Sequence, residues 1–268
     1  MKAYPKLSQL FGACVVQCMP LFLQAQVSVN HPSVQPIPHP QVSEEANTPM
    51  QIRRESQRFS ALPRVSFVHE RALDVLDFWF GDLPGPEYFP QDRMTVWFTG
   101  SLETDRQIRE NFSQDILSAM QGDYNSWRET PRGRLALILL LDQFPRHVYR
   151  NRPQEFMADR MARALALEGL QKGDDKQLYP MERVFFYLPF EHAEDLQLQN
   201  LSVSSYRKLL AQAPMEIKPQ MQAILHYAIL HQRQIARFGR FPHRNIILDR
   251  ESYPEEIVFL RQWGRPSF

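Results

Sequence analysis

Cysteine is almost absent from this chain: its two cysteines, Cys14 and Cys18, lie in one apolar stretch near the N-terminus. Cleavage after Ala25 would leave a mature chain without cysteine, which would exclude a disulfide framework, a zinc–thiolate site and a cysteine nucleophile. Glycine is also scarce, with 10 residues in 268, and valine-rich runs are few. Both shortages argue against an all-β sandwich.

An excess of charge of either sign is also missing. The 31 basic and 30 acidic residues leave a formal charge of +1, so the chain offers no general basic field for nucleic acid or for an acidic membrane. The sequence contains no glycine-rich phosphate loop, no dinucleotide fingerprint, no Gly-x-Ser-x-Gly elbow and no His-Glu-x-x-His motif. The motifs therefore predict no metal site and identify neither a cofactor nor a reaction.

Acidic residues are absent from the first 43 positions, which have the layout of a secretory signal. Lys2 and Lys6 precede an apolar run over residues 10–23, and the small residue Ala25 follows. The run is too short and too interrupted to predict a membrane span. We interpret residues 1–25 as a secretory signal, with an organelle transit peptide or a leader from an upstream start codon as alternatives. If residues 1–25 act as a signal, we expect the protein to be exported or targeted to an organelle; if they do not, we expect it to be cytoplasmic.

Residues 26–63 are rich in Pro, Ser, Gln and Asn and carry few large apolar side chains. Such a composition cannot bury enough apolar surface to offset the entropy of ordering the chain, so we interpret this segment as a disordered linker. No second linker follows. Residues 64–268 are therefore expected to form one domain, and they are numerous enough to enclose a core.

Apolar residues in the predicted domain recur with the spacing of α-helices. One stripe contains Val68, Ala72, Val75 and Trp79, and residues 135–141 are apolar all round, which indicates a buried central helix. We find no alternating strand pattern of useful length. Because the connections are mostly short, the sequence predicts an all-α fold of antiparallel helical hairpins in a single compact domain.

The segment Asp142-Gln-Phe-Pro-Arg146 follows this buried helix. A proline disfavours helical geometry in the residue before it, so we expect the helix to end near Gln143 or Phe144. Asp142 then lies in the last turn, where the helix dipole disfavours a negative charge, and a cation such as Arg146 should offset it. Asp142 is either an internal salt-bridge partner, which is the more common role, or a ligand or catalytic carboxylate.

The segment Glu191-His-Ala-Glu-Asp195 places four ionisable side chains within five residues, at a predicted helix start. Acidic residues suit a first helical turn, which gives a purely structural explanation for Glu191, Glu194 and Asp195. The functional alternative is a general acid–base pair, in which a carboxylate such as Glu194 orients His192, or an oxygen-and-imidazole metal site.

His231 lies at the centre of an apolar stripe on a predicted helix, between Tyr227 and Ile235. A lone histidine on such a face is usually a core residue with a satisfied hydrogen bond. It becomes a functional candidate only if it faces His192 or His243 across a cavity.

The stretch from Arg237 to Asn245 is the richest in side-chain donors. It contains three arginines, His243 and Asn245 within nine residues, where an amphipathic helix meets a glycine and then a proline. Arginine forks match carboxylates and phosphates in two-point contacts. Arg240 and Arg244 therefore either pair with the acidic residues of the two segments above or bind an anionic ligand.

These segments, in this order, resemble a family of largely bacterial proteins known as domain of unknown function 924. The family is similar in fold to tetratricopeptide-like helical proteins, which implies an all-α array, and the resemblance implies no activity. His147 departs from the family pattern, which has asparagine after Arg146. The matching pieces are Val75–Gly81, Trp97–Phe98, Pro131–Arg146, Leu188–Asp195, His231–Asn245 and Arg250–Ser252, within roughly residues 70–268.

We expect these helix ends to converge on one polar cleft. The leading hypothesis is a protein that binds a small anionic ligand or an acidic peptide end there. The alternatives are a hydrolase-like enzyme with His192 or His243 as the acid–base group, with or without a metal ion, and an internal clamp without a ligand. The sequence leaves the oligomeric state open. The predicted catalytic residues are His192, Glu194 and His243, and the predicted ligand-binding residues are Asp142, Arg146, Glu191, Asp195, His231, Arg240, Arg244 and Asn245.

Overall fold

Helices make up the regular structure of the protein, which a computed structural model describes over residues 68–98 and 101–263. No β-strand occurs in these residues, and the prediction of an all-α fold is confirmed. The α-helices are α1 (Glu70–Phe80), α2 (Met94–Phe98), α3 (Leu102–Gln121), α4 (Pro131–Ile138), α5 (Phe144–Val148), α6 (Asp159–Lys172), α7 (Pro180–Glu191), α8 (Leu196–Gln212), α9 (Lys218–Phe238) and α10 (Pro254–Trp263).

Local sequence signals set several of these boundaries. The Ser101 side chain accepts a hydrogen bond from the Thr104 amide at the start of α3, and Gly122 ends that helix in a left-handed conformation with φ 89°. At the start of α4, the Thr130 side chain accepts a hydrogen bond from Gly133, after which the helix runs into the core. These contacts satisfy amide groups that a helix end otherwise leaves without a partner.

The core is built around α4. Its residues Leu135, Ala136 and Ile138 are 0% exposed, and α1, α6 and α7 pack against it. Each fully buried leucine of this kind stabilises the fold by about 1.5–3 kcal/mol relative to an exposed one. Farther along the chain, α8 contacts both α7 and α9. The packing of α7 against α4 on one side and α8 on the other fixes where α7 ends.

The buried central helix does not end near Gln143 or Phe144, as the sequence predicted. It widens into a π-turn over Leu139–Gln143 and continues as α5. Pro145 has no amide hydrogen, and its ring would clash with the preceding turn of an ordinary α-helix. In the π-turn the Phe144 amide bonds to the Leu139 carbonyl, five residues back, and the wider turn accommodates the proline. Asp142 therefore lies inside a continuous helical path rather than in a last turn.

The segment predicted to begin a helix at Glu191 belongs instead to a helix end. Glu191 is the last residue of α7 and His192 is its C-cap. Only Asp195 has the predicted role at a helix start: it is the N-cap of α8, where its side chain accepts a hydrogen bond from the Leu198 amide at 2.9 Å. Pro189, two residues before Glu191, suggests a break ahead of a new helix, but it lies within α7.

Among the helices of residues 68–98 and 101–263, none combines the length and the apolar character of a membrane span. The predicted targeting segment at residues 1–25 and the predicted linker at residues 26–63 lie outside the residues that the structure describes. Both stay predictions.

Candidate functional site

Asp142 and His192 form a buried carboxylate–imidazole pair. Nδ1 of His192 lies 2.9 Å from both carboxylate oxygens of Asp142, and Asp142 is 0% exposed. The pair forms where the π-turn contacts α7. The His192 side chain keeps 18% of its surface exposed, and its Nε2 is neither enclosed nor bonded to any described residue. A carboxylate on Nδ1 holds the proton there and leaves Nε2 free to accept one.

Arg146 neutralises the other side of Asp142. Its guanidinium lies 3.5 Å from the Asp142 carboxylate and makes a two-point contact with Asp159 of α6, at 3.0 and 3.1 Å. Burial would raise the pKa of Asp142, but the charges of Arg146 and His192 outweigh it and lower that pKa. Burial lowers the pKa of His192 despite the nearby carboxylate. The ring is therefore neutral at neutral pH.

A second carboxylate–imidazole pair lies beside the first. Nδ1 of His231, on α9, is 2.7 Å from Oε1 of Glu191, which is buried. The atoms are not aligned as a hydrogen bond, so the contact is electrostatic. No lysine or arginine of residues 68–98 and 101–263 forms an ion pair with Glu191. Because Glu191 and His192 are consecutive, both pairs lie at the same end of α7.

The donor-rich stretch after α9 contains one group of contacts that serves the fold. Gly239 takes φ 69° at the C-cap of α9 and turns the chain. Arg240 then makes a two-point contact with Glu256 at 2.7 and 2.8 Å, and Asn245 donates to the same carboxylate at 3.0 Å. Glu256 belongs to α10 and is 1% exposed. Arg240 and Asn245 therefore dock α10 onto the loop.

Glu194 faces Arg250 and not His192, although the enzyme hypothesis predicted it as the orienting carboxylate. The Arg250 guanidinium donates to Glu194 at 2.6 and 2.9 Å, and the Phe241 amide donates to it at 2.8 Å. Burial raises the pKa of Glu194, but the hydrogen bonds from Arg250 and Phe241 outweigh it and lower that pKa. Glu194 therefore fastens the loop to the end of α7.

Arg244 lies between two aromatic rings and is in direct contact with no carboxylate of the described residues. Its guanidinium carbon is 4.6 Å from the centroids of both Phe156 and Phe241, and the residue is 8% exposed. No acidic side chain in the described part of the chain forms an ion pair with Arg244, and its Nε is buried without a hydrogen-bond partner. Burial, together with the charge of Arg146, lowers the pKa of Arg244 to about 10. The guanidinium is still charged at neutral pH, so it is available to an anion.

His243 is half-buried beside Arg244 and stacks on Phe241 at 5.5 Å between ring centroids. The described residues supply no hydrogen-bond partner for its ring. Burial, followed by the charges of Arg244 and His231, lowers the pKa of His243 to about 3. The ring is therefore neutral and can exchange one hydrogen bond with a ligand. It lacks the orienting carboxylate that would suit it to acid–base catalysis.

The accessible polar atoms of this cluster are nitrogens. The carboxylates of Asp142 and Glu191 are buried behind the two histidines, while Nε2 of His192 and the terminal nitrogens of Arg244 are neither paired within the described residues nor enclosed. A cluster whose free polar atoms are nitrogens favours anions. In residues 68–98 and 101–263 no group of three or more His, Cys, Asp or Glu side chains is arranged to hold a metal ion.

The predicted site residues thus fall into two groups. The first group forms the cluster and contains Asp142, Arg146, Glu191, His192, Glu194, His231, His243 and Arg244. In the second group, Asp195 and Arg240 make structural contacts, and Asn245 joins Arg250 to Glu256. The predicted site did not include the residues that surround this cluster, although Phe241 and Arg250 carried a signal because both lie in segments that match the family. The missed residues are Phe156, Asp159, Phe241, Arg250 and Glu256.

Comparison with known proteins agrees with this picture of an all-α domain. A solved structure of a protein of unknown function from Agrobacterium tumefaciens is 35% identical, with a TM-score of 0.61, over 72% of this chain and 97% of that chain. No curated protein matches. The resemblance to tetratricopeptide-like proteins stays a prediction. Residues 75–264 match the family model described as "Bacterial protein of unknown function (DUF924)", and the chain belongs to that family.

Proposed function

We propose that this domain binds a small anionic ligand, or the acidic end of a peptide, in the cleft between Arg244, His192, His231 and His243. The observation that carries the proposal is the state of Arg244. A desolvated charge costs several kcal/mol unless another group pairs with it. A domain that uses this arginine only for folding would give it a carboxylate, as it does for Arg250.

The neighbourhood of Arg244 suits a small ligand. Phe156 and Phe241 hold the guanidinium from two sides, which reduces the entropy that it loses when it binds. Hydrogen bonds that involve a charged group contribute about 1.5–3 kcal/mol each. The neutral rings of His192 and His243 add donors or acceptors without adding repulsion.

Thermal unfolding in the presence of anions tests the proposal. Inorganic phosphate, acetate and a peptide with two C-terminal glutamates are suitable probes, and we expect at least one of them to raise Tm. Saturation to about 100 times Kd corresponds to about 2.7 kcal/mol of stabilisation. Arg244→Gln should abolish the rise, because it removes the unpaired charge.

Arg240→Gln is the matched control for this experiment. It removes an arginine of the same loop whose charge is already offset by Glu256, so it should lower Tm but keep the anion-induced rise. A rise of the same size in Arg244→Gln and in the wild-type protein would refute the proposal.

The second candidate function is a hydrolase-like enzyme, which the Asp142–His192 pair favours. Nδ1 of His192 is held by a buried carboxylate at 2.9 Å, so the ring is oriented and its Nε2 can take a proton from a bound molecule. Of the three predicted catalytic residues, His192 has such support. Glu194 is bound by Arg250, and His243 lacks a carboxylate among the described residues.

A further inference from the structure

We infer that the cleft hydrolyses phosphodiesters, with His192 as the general base, His231 as the general acid and Arg244 as the group that holds the phosphate oxygens. The inference rests on the anion site proposed above and names the substrate class of the second candidate function. It depends on three features of the cluster. Arg244 forms no ion pair in the described part of the chain, the two histidines have different electrostatic surroundings, and all three side chains lie close together.

The free guanidinium nitrogens of Arg244 favour a ligand with a single negative charge. The neighbouring arginines Arg146 and Arg250 form ion pairs with carboxylates, whereas Arg244 forms none within the described residues, although Asp159, Glu194 and Glu155 act on it at longer range. A phosphodiester carries one charge over two non-bridging oxygens, which match the two-point geometry of a guanidinium. A phosphomonoester dianion would bring a second charge close to the buried carboxylates. A carboxylate ligand has one charge but no leaving group for a second histidine to protonate.

The two carboxylate–imidazole pairs differ in what else surrounds the carboxylate. Asp142 is also offset by Arg146 at 3.5 Å, so it supports a positive charge on His192 only weakly and the ring stays neutral. Glu191 forms no ion pair with a lysine or an arginine of the described residues, and its carboxylate is shared by Tyr206 and by His231, which lies at 2.7 Å. The neutral His192 ring can accept a proton, and His231, held beside a carboxylate that no described arginine or lysine offsets, is the group placed to deliver one.

The three groups lie close together. Phe241 is contacted by His231, at 5.4 Å between ring centroids, and by the Arg244 guanidinium, at 4.6 Å. Glu191 and His192 are consecutive at the end of α7, which brings the two histidine pairs together. His243 stacks on the same Phe241 ring, and the charges of Arg244, His231 and His192 all act on it. A phosphate on Arg244 would therefore lie near both catalytic rings.

The reaction needs no co-reactant except water. Nε2 of His192 takes a proton from a water molecule while the water oxygen bonds to phosphorus. The bond from phosphorus to the leaving-group oxygen breaks, and His231 gives its proton to that oxygen. The products are a phosphomonoester and an alcohol, and proton exchange with solvent returns His192 to its neutral form and His231 to its protonated form. Arg244 stabilises the charge that builds up on the non-bridging oxygens.

Hydrolysis of two phosphodiesters by the full chain tests this assignment. Bis(p-nitrophenyl) phosphate has a leaving group that needs little protonation, whereas the alkoxide leaving group of uridine 2′,3′-cyclic phosphate needs a proton. His192→Gln should slow both reactions by about 10²–10⁴-fold. His231→Gln should slow the cyclic diester by a similar factor and the aryl diester far less. Wild-type kcat/KM for the cyclic diester should fall on the acid side of the pH profile, where His192 takes up a proton, and His192→Gln should flatten that side.

His226→Gln is the matched control, since His226 is an exposed histidine on the same helix as His231, and it should leave both rates unchanged. A phosphate-induced rise in Tm, measured on each variant, shows that the fold and the anion site survive. A wild-type protein that shows this rise but hydrolyses neither diester overturns the inference and leaves the binding proposal intact. If phosphate does not raise Tm and neither diester is hydrolysed, both the inference and the binding proposal are refuted. Faster hydrolysis of p-nitrophenyl phosphate, a monoester, than of either diester would also overturn the inference.

Discussion

Arg240 and Arg244 lie in the same short loop, yet the fold treats them in opposite ways. Arg240 forms a two-point contact with a buried carboxylate, Glu256, that also receives a hydrogen bond from Asn245. Arg244 is enclosed by Phe156 and Phe241 and has no acidic partner in the described part of the chain. The difference shows that one short loop can hold, within a few residues, an arginine paired with a carboxylate and an arginine enclosed by aromatic rings.

The two arrangements also differ in their effect on stability. A buried ion pair with good geometry and additional hydrogen bonds is strongly destabilised when one partner is removed. A desolvated cation without a partner opposes folding, and proteins keep such groups mainly where function requires them. Substitutions on the two sides of the loop should therefore change stability in opposite directions, and three experiments can break or sharpen the contrast.

Glu256→Ala should have the largest effect on stability. It removes the carboxylate that Arg240 and Asn245 share and leaves them only the Glu251 carbonyl and the Ser252 hydroxyl as acceptors among the described residues, so we expect the free energy of unfolding to fall by about 2–4 kcal/mol. Urea denaturation measures the change. Glu255→Ala, at an exposed position of the same helix, is the control and should stay within about 0.5 kcal/mol of the wild-type protein. A loss below about 1 kcal/mol for Glu256→Ala would show that the Arg240 contact is not the structural side of the loop.

The stability of the fold should depend on pH mainly through His243, the neighbour of Arg244 in the loop. The pKa of His243 is lowered from 6.5 to about 3, so between these values the unfolded chain binds more protons than the folded one. The stability is complete above about pH 6.5 and falls as the pH drops, by up to about 3 kcal/mol at pH 4. His192, whose pKa is also lowered, adds to the same slope. Asp142 adds to the loss mainly below about pH 4.

His243→Phe should make the dependence of stability on pH shallower between pH 6.5 and 4, because phenylalanine fills the half-buried position without a titratable group. Urea denaturation at several pH values gives the slope. His226→Gln removes an exposed histidine and should keep the wild-type slope. An unchanged slope in His243→Phe would place the acid-sensitive group elsewhere.

The sequence predicts the parts of this structure that depend on local signals. The cap at Thr130 and the glycine at the end of α3 mark helix boundaries directly, and apolar periodicity identifies the core helix. The π-turn at Asp142 has no such signal, because the wider turn is stable only while its apolar residues pack against α3, α6 and α7. The wrong interpretation of Glu191 arose in the same way, since burial keeps Pro189 within α7.

The ion-pair partners are the feature of the site that is hardest to predict from the sequence. The convergence of helix ends follows from their Pro and Gly residues, but which acid meets which arginine depends on distances of a few ångströms. Glu194 pairs with Arg250, a residue 56 positions away. From the sequence, Arg240 and Arg244 have the same possible acidic partners. Nothing in the residue types indicates that Arg240 contacts Glu256 while Arg244 packs between two aromatic rings.

Arg244→Met should give the smallest change, and its sign is the most direct test of the comparison. Methionine has a similar length and can pack between Phe156 and Phe241 with favourable sulfur–aromatic contacts. The substitution loses a cation–π interaction of about 0.5–2 kcal/mol but removes a desolvated charge. We expect a net gain of about 1 kcal/mol in the free energy of unfolding in a buffer with little phosphate, whereas Arg240→Met should lose stability. Adding phosphate should narrow the gap between Arg244→Met and the wild-type protein, because only the wild-type protein gains a bound anion. A loss of stability in Arg244→Met at low phosphate would mean that the cation–π contacts of Arg244 with Phe156 and Phe241 stabilise the fold by more than the desolvated charge destabilises it. Arg244, like Arg240, would then be a structural residue.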